Sequence, residues 1–331
     1  MPQRPSFAGA LHCYETPIFS DISMHPQLVN LSQFWCVGKS RAPKKLGRGP
    51  PISTSMTIDL SLHRIRLLLS HLPTYRRPTC HIAGTNGKGS SSALLSSILQ
   101  ASSPPLSVGR FNTPHLMTIR DSIIVNNKPV SADVYNPVRG EIERLNQNLG
   151  TRATKAETLT STAMAIFEAL GLDIVIMEAG MGGRLDATNA MPDEAVVVSA
   201  LTSVDLDHQA FLGDTVAGIA REKVGIARRG KPFVLGRQKF PEVEEVVRNA
   251  VLGADIRGHL VRAADPVKLP FEGQDPLNHT PVSISLPSFP EPLRGRLPLY
   301  GSHQLSNLGI ASTIVSELLT HPTCSHVTSQ V

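Results

Sequence analysis

Short apolar runs alternate with longer amphipathic stretches along most of the chain. A strand inside a parallel sheet reads as a continuous apolar run, whereas a helix repeats its apolar positions every three to four residues. These patterns predict strands at residues 80–83, 123–125, 173–177, 195–201 and 231–236. They predict helices at residues 90–99, 134–149, 158–170, 215–225 and 304–319, one from 58 that Pro73 ends, and one that starts at Pro241.

The order of these elements indicates a fold class. Strands that alternate with helices predict an α/β protein with a doubly wound, mostly parallel sheet. Between residues 264 and 298, frequent prolines and short alternation predict a small sheet or hairpin packed on that core.

The first predicted strand runs into a glycine-rich loop and then into a helix. Gly84, Gly87 and Gly89 allow backbone N–H groups to approach an anion, and the helix N-terminus adds partial positive charge. Lys88 can reach phosphate oxygens, and the Ser90 hydroxyl suits the Mg²⁺ that accompanies a nucleotide. The spacing G-x-x-G-K-G-S is shorter than the general pattern, and a glycine-rich turn is the alternative. Strand, loop and helix together favour a nucleotide site in a sheet of the P-loop type.

Polar side chains also follow two further predicted strands. Glu178 directly follows one of them and precedes glycines, while Asp207 and His208 follow the next. In open α/β sheets ligands bind outside the carboxyl ends of the strands. Glu178 is therefore a Mg²⁺ candidate, and His208 a metal ligand with Asp207 as its partner. A lone Glu is more often a cap or a solvated charge, but convergence of three strand ends near Lys88 is more specific.

Residues 112–116 form a small polar stretch that contains a proline. Such a stretch is typical of a loop, and loops that border a site often cover it. A plain connector between two elements explains the same residues equally well. Both interpretations stay open at this point.

Composition narrows the class of partner. The net charge of +5 and the pI near 9.1 favour anionic ligands, but only 5% of residues are aromatic and the basic residues are scattered, so no nucleic-acid surface is indicated. No apolar run approaches the roughly 20 residues that cross a bilayer, so we expect no membrane partner. The four cysteines are far apart, which indicates neither a zinc site nor a disulfide framework and favours a reducing compartment.

Residues 1–55 differ from the rest of the chain. They are rich in Pro, Ser and His, contain only Glu15 and Asp21 as acids, and carry a basic cluster between residues 39 and 48. We expect a disordered N-terminal extension, with Met56 as an alternative start. We expect a cytoplasmic protein. The mitochondrion is the alternative, because a transit peptide is also basic and acid-poor.

Several motifs occur together in the order of one family. The chain resembles the folate branch of the Mur-ligase superfamily, dihydrofolate synthase and folylpolyglutamate synthase. The matching stretches are GTNGKGS (84–90), GRFNTPHL (109–116), EAGMGGRLDATN (178–189), LDHQAFLGDT (206–215), REKVGI (221–226) and GSHQLSN (301–307). The resemblance implies an ATP-binding central domain at 56–310. Residues 311–331 would be the end of the last helix and the start of a C-terminal domain that the chain lacks.

The resemblance also implies roles for individual residues. The phosphate loop would bind the triphosphate of ATP through Gly84, Thr85, Asn86, Gly87, Lys88, Gly89 and Ser90. Ser90 and Glu178 would bind one Mg²⁺, with Thr113 and His208 at the positions of a second metal. The catalytic set would be Lys88, His208 and Lys223, and Lys223 matches a lysine that is carbamylated in the family. Gln304 and Asn307 match positions near the adenine. The substrate side would include Phe111, Thr113, Pro114 and His115.

The implied reaction is an ATP-dependent ligation. L-Glutamate would be joined to 7,8-dihydropteroate through an acyl phosphate, with Mg²⁺ and Lys88 neutralising the charge that moves during phosphoryl transfer. The asparagine of GTNGKGS and the GRFN stretch favour dihydrofolate synthase. The alternatives are a folylpolyglutamate synthase that extends reduced folates, and a truncated nucleotide-binding protein without turnover. A motor or helicase is disfavoured by the short loop. We expect a monomer that binds only small molecules.

Overall fold

A mostly parallel sheet carries the fold in the computed structural model, which describes residues 61–270 and 279–324. Its strands are β1 (Thr79–Ala83), β2 (Val108–Phe111), β3 (Ile123–Val125), β4 (Lys128–Pro129), β5 (Ile174–Glu178), β6 (Val196–Leu201), β7 (Pro232–Leu235) and β8 (His259–Arg262). The sheet order is β4-β3-β2-β5-β1-β6-β7-β8. The six strands β2, β5, β1, β6, β7 and β8 run parallel to one another, and β3 and β4 add an antiparallel edge beside β2.

Helices cover both faces of this sheet. They are α1 (His63–Leu69), α2 (Lys88–Gln100), α3 (Ala132–Leu149), α4 (Lys155–Ala169), α5 (Gln209–Leu212), α6 (Val216–Val224), α7 (Pro241–Leu252) and α8 (His303–Thr320), with 3₁₀ turns at Ile119–Ser122, Ala187–Ala190 and Pro322–Cys324. One face packs on α2 and α8, and the other on α1, α3 and α4 at one end and on α6 and α7 at the other. The predicted doubly wound α/β fold is therefore confirmed.

Burial explains why the central strands are continuous apolar runs. Every residue of β1, β5, β6 and β7 is buried, because helices exclude water from both faces. β1 lies between β5 and β6, with Cys80 opposite Ile176 on one side and Val198 on the other. This arrangement brings the carboxyl ends of three central strands to one edge of the sheet.

The predicted small sheet is also present. Strands β9 (Val267–Lys268), β10 (Thr280–Ile284) and β11 (Leu293–Leu297) form an antiparallel sheet in the order β11-β10-β9. Its inner side chains Val282 and Leu297 pack on Leu308 of α8. The small sheet thus rests on the helix that also contacts the phosphate loop.

The structure differs from the sequence prediction at several elements. β2 and β8 are strands that the apolar pattern did not predict. In β2 the pattern is broken by Gly109, where an added Cβ would lie 3.0 Å from Phe167 Cδ1, so α4 packs directly on the strand. The helix α6 starts at Val216 rather than at the predicted residue 215, because Thr215 is its N-cap and the Thr215 hydroxyl accepts from the Gly218 N–H. The first helix ends at Leu69, before Pro73.

Some predictions fall outside the described residues. These are the disordered extension at 1–55, the alternative start at Met56, the beginning of the first helix near residue 58, and the final residues from 325 onward. Among the residues that the structure describes, no helix has the length and apolar character needed to cross a membrane.

Candidate active site

The phosphate loop connects β1 to α2 at the carboxyl edge of the sheet. Gly84 has φ +148°, and a Cβ there would lie 1.8 Å from Thr202 Oγ1. Gly87 has φ +90°, and its Cβ would lie 2.3 Å from Asn307 Oδ1. Only glycine fits at these two positions, since any side chain would meet both strain and a collision. The loop backbone is therefore held close to β6 and α8, with the N-terminus of α2 pointing its free N–H groups out of the loop.

Hydrogen bonds to Ser203, two residues after β6, fix the loop further. The Thr85 N–H donates to Ser203 O over 2.8 Å, and the Ser203 hydroxyl donates to Asn86 O over 3.3 Å. Lys88 folds over the loop, and its Nζ donates to Gly84 O at 2.9 Å and to Thr85 O at 3.2 Å. The loop is thus preformed, with its lysine already above the backbone that would bind a phosphate.

Glu178 lies beside Lys88 at the end of β5. Its Oε1 is 4.0 Å from Lys88 Nζ, and its Oε2 accepts a hydrogen bond from Asn112 Nδ2. Burial raises the pKa of the Glu178 carboxyl, while the Asn112 hydrogen bond and the charges of Lys88 and Arg110 lower it. The half-buried Ser90 lies in the first turn of α2. A carboxylate and a hydroxyl are the hard oxygen donors that Mg²⁺ prefers, so this pair fits the predicted ion.

Lys223 enters the same place from α6. The residue is 2% exposed, and its Nζ donates to Gly84 O over 3.0 Å. Burial, and next the charge of Lys88, lower the pKa of Lys223 to about 8, against the opposing effect of Asp207 and Asp186. Two lysines thus share one loop carbonyl. The Lys223 amine is easier to deprotonate than an ordinary lysine.

His208 occupies a different environment. It is 44% exposed and has φ +49°, and its Nε2 lies 3.6 Å from Asp207 Oδ2. Within residues 61–270 and 279–324, no group of three His, Cys, Asp or Glu side chains is placed to bind a metal ion. The structure therefore places Lys88 next to Glu178, whereas the interactions of His208 with the described residues reach this cluster through Asp207, whose charge acts on Lys223.

The residues predicted on the substrate side fall into two groups. Thr113 lies beside the loop after β5, since a Cβ on Gly180 would be 3.1 Å from Thr113 Oγ1. Pro114 and His115 are exposed next to it. Phe111 is instead 2% exposed and packs in the core, so its position supports a packing role rather than substrate contact.

The predicted adenine-side residues lie at the start of α8. Asn307 Nδ2 donates to Gln304 Oε1 at 2.8 Å, and Asn307 Oδ1 accepts from the Ser91 hydroxyl at 3.4 Å. Asn307 is buried against Gly87 of the phosphate loop. The structure therefore brings Asn307 directly to the loop and Gln304 to its margin.

A cavity of about 420 Å³ lies next to this cluster and was not predicted. It is bounded by the loop after β5 (180–187), the start of α1, the start of α4 and the short helix α5. Two ion pairs border it, Arg64 with Glu157 at 3.2 Å and Arg184 with Glu222 at 2.8 Å. The capping box of Thr154 and Glu157 was a signal for one wall, because S/T-x-x-E patterns mark helix starts. The assembly of four elements around one space has no local signal.

Similar proteins are known in sequence and in structure. No protein-family model matches the chain. Dihydrofolate synthetase of Saccharomyces cerevisiae is 37% identical over 248 residues, which cover 70% of this chain and 58% of that protein. The structure of Mycobacterium tuberculosis folylpolyglutamate synthase complexed with ADP is 31% identical, with a TM-score of 0.68, and the match covers 83% of this chain and 63% of that one.

A second solved structure contains further small molecules. It is a complex of folylpolyglutamate synthase with AMPPCP and folate, 27% identical, with a TM-score of 0.68, and the match covers 84% of this chain and 68% of that one. The chain thus spans a little over half the length of the yeast relative.

Proposed function

Since the chain belongs to the dihydrofolate synthase/folylpolyglutamate synthase family, we propose that it is an ATP-dependent ligase that joins L-glutamate to 7,8-dihydropteroate. The single observation that carries this proposal is the charged cluster at the phosphate loop. There Lys88 and Lys223 both donate to Gly84 O, and Glu178 at the end of β5 lies 4.0 Å from Lys88 Nζ. The yeast relative is named a dihydrofolate synthetase, and this name supports dihydropteroate rather than another folate as the substrate proposed for this chain.

The nucleotide would bind at the phosphate loop. Free N–H groups at the start of α2 and the Lys88 ammonium supply positive charge, and glycines leave the backbone accessible. The solved relatives contain ADP or AMPPCP, which supports ATP as the phosphoryl donor. Asn307 and Gln304 at the edge of the loop are suited to contact the base or ribose side.

The cavity beside Gly180 would take the pterin end of the second substrate. Its volume of about 420 Å³ lies within the range of roughly 300–1,000 Å³ that is typical of small-molecule sites. Gly180 in its wall lies beside Thr113 and two residues after Glu178 in the chain. A pteroate lying there would direct its benzoate carboxylate toward the phosphate loop. The relative that holds folate together with AMPPCP supports simultaneous binding of the two ligands.

The chemistry follows from the weak reactivity of a carboxylate. Attack of the carboxylate oxygen on the γ-phosphorus of ATP breaks the bond to the β-phosphate and gives an acyl phosphate and ADP. The α-amine of glutamate then attacks the acyl carbon, phosphate leaves, and the amine loses a proton. Lys88 stabilises the charge on the transferring phosphoryl group, and the buried position of the cluster limits water near the acyl phosphate.

Ser90 and Glu178 would bind Mg²⁺ here, with Thr113 and His208 proposed for a second ion. Bound Mg²⁺ supplies charge neutralisation for the phosphates.

We also propose that Lys223 is carbamylated: its neutral amine attacks CO₂, a proton is released, and an N-carboxylate forms. A pKa of about 8 leaves a usable neutral fraction near pH 7.

Monomeric state and cytoplasmic location remain predictions, with the mitochondrion as the alternative location.

Calorimetric titration with MgATP tests the nucleotide site. Lys88→Ala should lose MgATP binding and keep its fold, because Lys88 is a half-buried loop residue outside the core. Lys128→Ala, at an exposed position on the antiparallel edge of the sheet, is the matched control and should bind like the parent chain. Unchanged affinity in Lys88→Ala would disprove the assignment.

A ligase assay tests the reaction. The chain is incubated with MgATP, dihydropteroate and L-glutamate, and dihydrofolate and phosphate are measured. Dependence of both products on all three substrates and on Lys88 supports the proposal. Product formation only with tetrahydrofolate would instead identify the folylpolyglutamate activity. MgATP binding without any product would support the nucleotide-binding alternative.

A further inference from the structure

A buried histidine on β1 lies outside the chemistry described above. His81 is fully buried, three residues before the phosphate loop. Burial, together with the nearby charge of Arg228, lowers the pKa of His81 to about 3, so the imidazole is neutral at physiological pH. A neutral imidazole in the centre of a sheet can donate only one hydrogen bond.

The bonds around His81 identify that donor. The Thr188 hydroxyl lies 2.8 Å from His81 Nε2 and also donates to Asp186 Oδ1. A carboxylate only accepts, so the one hydroxyl proton of Thr188 goes to Asp186. Thr188 Oγ1 must therefore accept from His81, which makes Nε2 the protonated nitrogen. His81 Nδ1 then carries a lone pair, which agrees with its lack of a hydrogen-bond partner among the described residues.

The chain of hydrogen bonds ends at the cavity wall. Asp186 Oδ1 also accepts from the Thr188 N–H at 2.9 Å, and Asp186 Oδ2 accepts from the N–H groups of Gly180 at 3.0 Å and Met181 at 2.9 Å. Gly180, Met181 and Asp186 all line the cavity. Four donors thus fix one carboxylate, and the carboxylate fixes Gly180 and Met181 in the loop after β5.

We propose that His81 is a positioning residue for the pterin site: through Thr188 it orients the Asp186 carboxylate and so holds the Gly180–Met181 backbone at the cavity wall. The ligand in this proposal, a pteroate, rests on the proposed function. The geometry also predicts that the loss of His81 affects one binding site more than the other. His81 does not contact the phosphate loop through any of these bonds, so its loss should affect the cavity and spare the nucleotide site.

Two substitutions at His81 distinguish the effect of losing its hydrogen-bond donor from the effect of changing its side-chain volume. His81→Leu fills similar space without a donor, and His81→Gln retains an N–H group near the position of Nε2. We expect His81→Leu to weaken dihydropteroate binding at least tenfold and to change MgATP affinity by less than twofold. His81→Gln should restore dihydropteroate affinity to within about threefold of the parent chain. Far-UV circular dichroism and thermal unfolding verify that each variant is folded.

Thr188 gives an independent arm of the test. Thr188→Val removes the relay and Thr188→Ser keeps it, so only the valine variant should bind dihydropteroate weakly. Because both residues act through one path, the double variant His81→Leu/Thr188→Val should lose no more affinity than either single variant. Additive losses, or an equal loss of MgATP and dihydropteroate affinity, would overturn the positioning role. If His81→Leu does not fold, the Thr188 pair and His81→Gln decide the question.

A second readout does not need the ligand. Amide hydrogen exchange at Met181 should accelerate at least tenfold in His81→Leu and Thr188→Val, with exchange in α7 unchanged. If the parent chain binds no dihydropteroate, the proposed function fails, while accelerated exchange still supports the positioning relay. Unchanged exchange at Met181 in folded variants would refute the relay whatever the ligand is.

Discussion

Two regions at the same edge of the sheet differ in how the fold treats them. The charged cluster of Lys88, Glu178 and Lys223 is largely buried, and each member contacts the loop or another member. The neighbouring segments, 114–119 and 206–212, expose large apolar side chains: Leu116, Met117, Ile119, Leu206 and Phe211. The fold therefore pre-organises the groups that handle charge, and it leaves the segments around them with few packing contacts. Within one site, the buried charged residues are held by the fold, whereas the exposed apolar residues beside them contribute little to its stability.

The largest expected effect comes from disturbing the backbone under the cluster. Gly84→Ala should destabilise the protein by about 3 kcal/mol or more, because a methyl group at φ +148° would meet Thr202 Oγ1 at 1.8 Å. Gly140→Ala is the matched control in the middle of α3, where an added Cβ meets no atom within 4 Å. It should stabilise by about 0.5–1 kcal/mol. Urea unfolding measures both, and similar values for the two variants would contradict the comparison.

Metal dependence compares one residue from each region. Glu178→Gln should raise the Mg²⁺ concentration needed for nucleotide binding by about ten- to a hundredfold, since a buried carboxylate ligand is lost. His208→Ala should raise it by a smaller factor, because His208 is 44% exposed and reaches the cluster through Asp207. Calorimetric MgATP titrations at several Mg²⁺ concentrations give both values. A larger effect at His208 would reverse the ranking of the two regions.

The cluster should also have a pH signature. Lys223 has its pKa lowered from 10.5 to about 8, so between these values the unfolded chain binds more protons than the folded one. Stability relative to a Lys223→Met variant should therefore rise with pH, by about 2 kcal/mol between pH 7 and 9.5. Below pH 8 both states are protonated and the penalty for the buried charge is fully present. Denaturant unfolding in CO₂-free buffer tests this, and a pH-independent difference would refute it.

The glycine-rich loop between β1 and α2 could be predicted from the sequence because its backbone conformation demands particular residue types at neighbouring positions. Gly84 and Gly87 require glycine for backbone reasons, and Lys88 follows at a fixed spacing. The apolar runs likewise predicted the central strands, since burial on both faces allows little else. These features depend on neighbours along the chain, so a linear pattern records them.

Other features depend on contacts between distant segments. Asn112, just after β2, supports Glu178 at the end of β5, and the burial of Lys223 arises only when α6 packs on the loop. The strand β2 was missed because Gly109 serves the packing of α4 rather than the apolar pattern. His208 follows a strand as expected, but a backbone turn at φ +49° leaves it exposed. Sequence position therefore predicted which residues reach the edge, and not which of them meet.

The smallest expected effect on stability belongs to the neighbouring segment 114–119. Leu116→Ser and Met117→Ser should each change the free energy of unfolding by no more than about 0.5 kcal/mol, because Leu116 is 91% and Met117 90% exposed. Phe111→Ala, at the end of β2 just before one segment, is the buried contrast and should cost about 3–5 kcal/mol. Urea unfolding of the three variants gives the direct comparison.

The same exposed residues sharpen the comparison when a ligand is present. If segment 114–119 closes over a bound pteroate, the Leu116 side chain loses exposed area only in the complex, and its burial stabilises only that state. Leu116→Ser should then weaken dihydropteroate binding severalfold while unfolding of the free protein stays unchanged. Equal affinity in variant and parent would assign the segment as a plain connector. A large loss of stability without ligand would show that the segment already packs in the free protein, and the two regions would not differ as described.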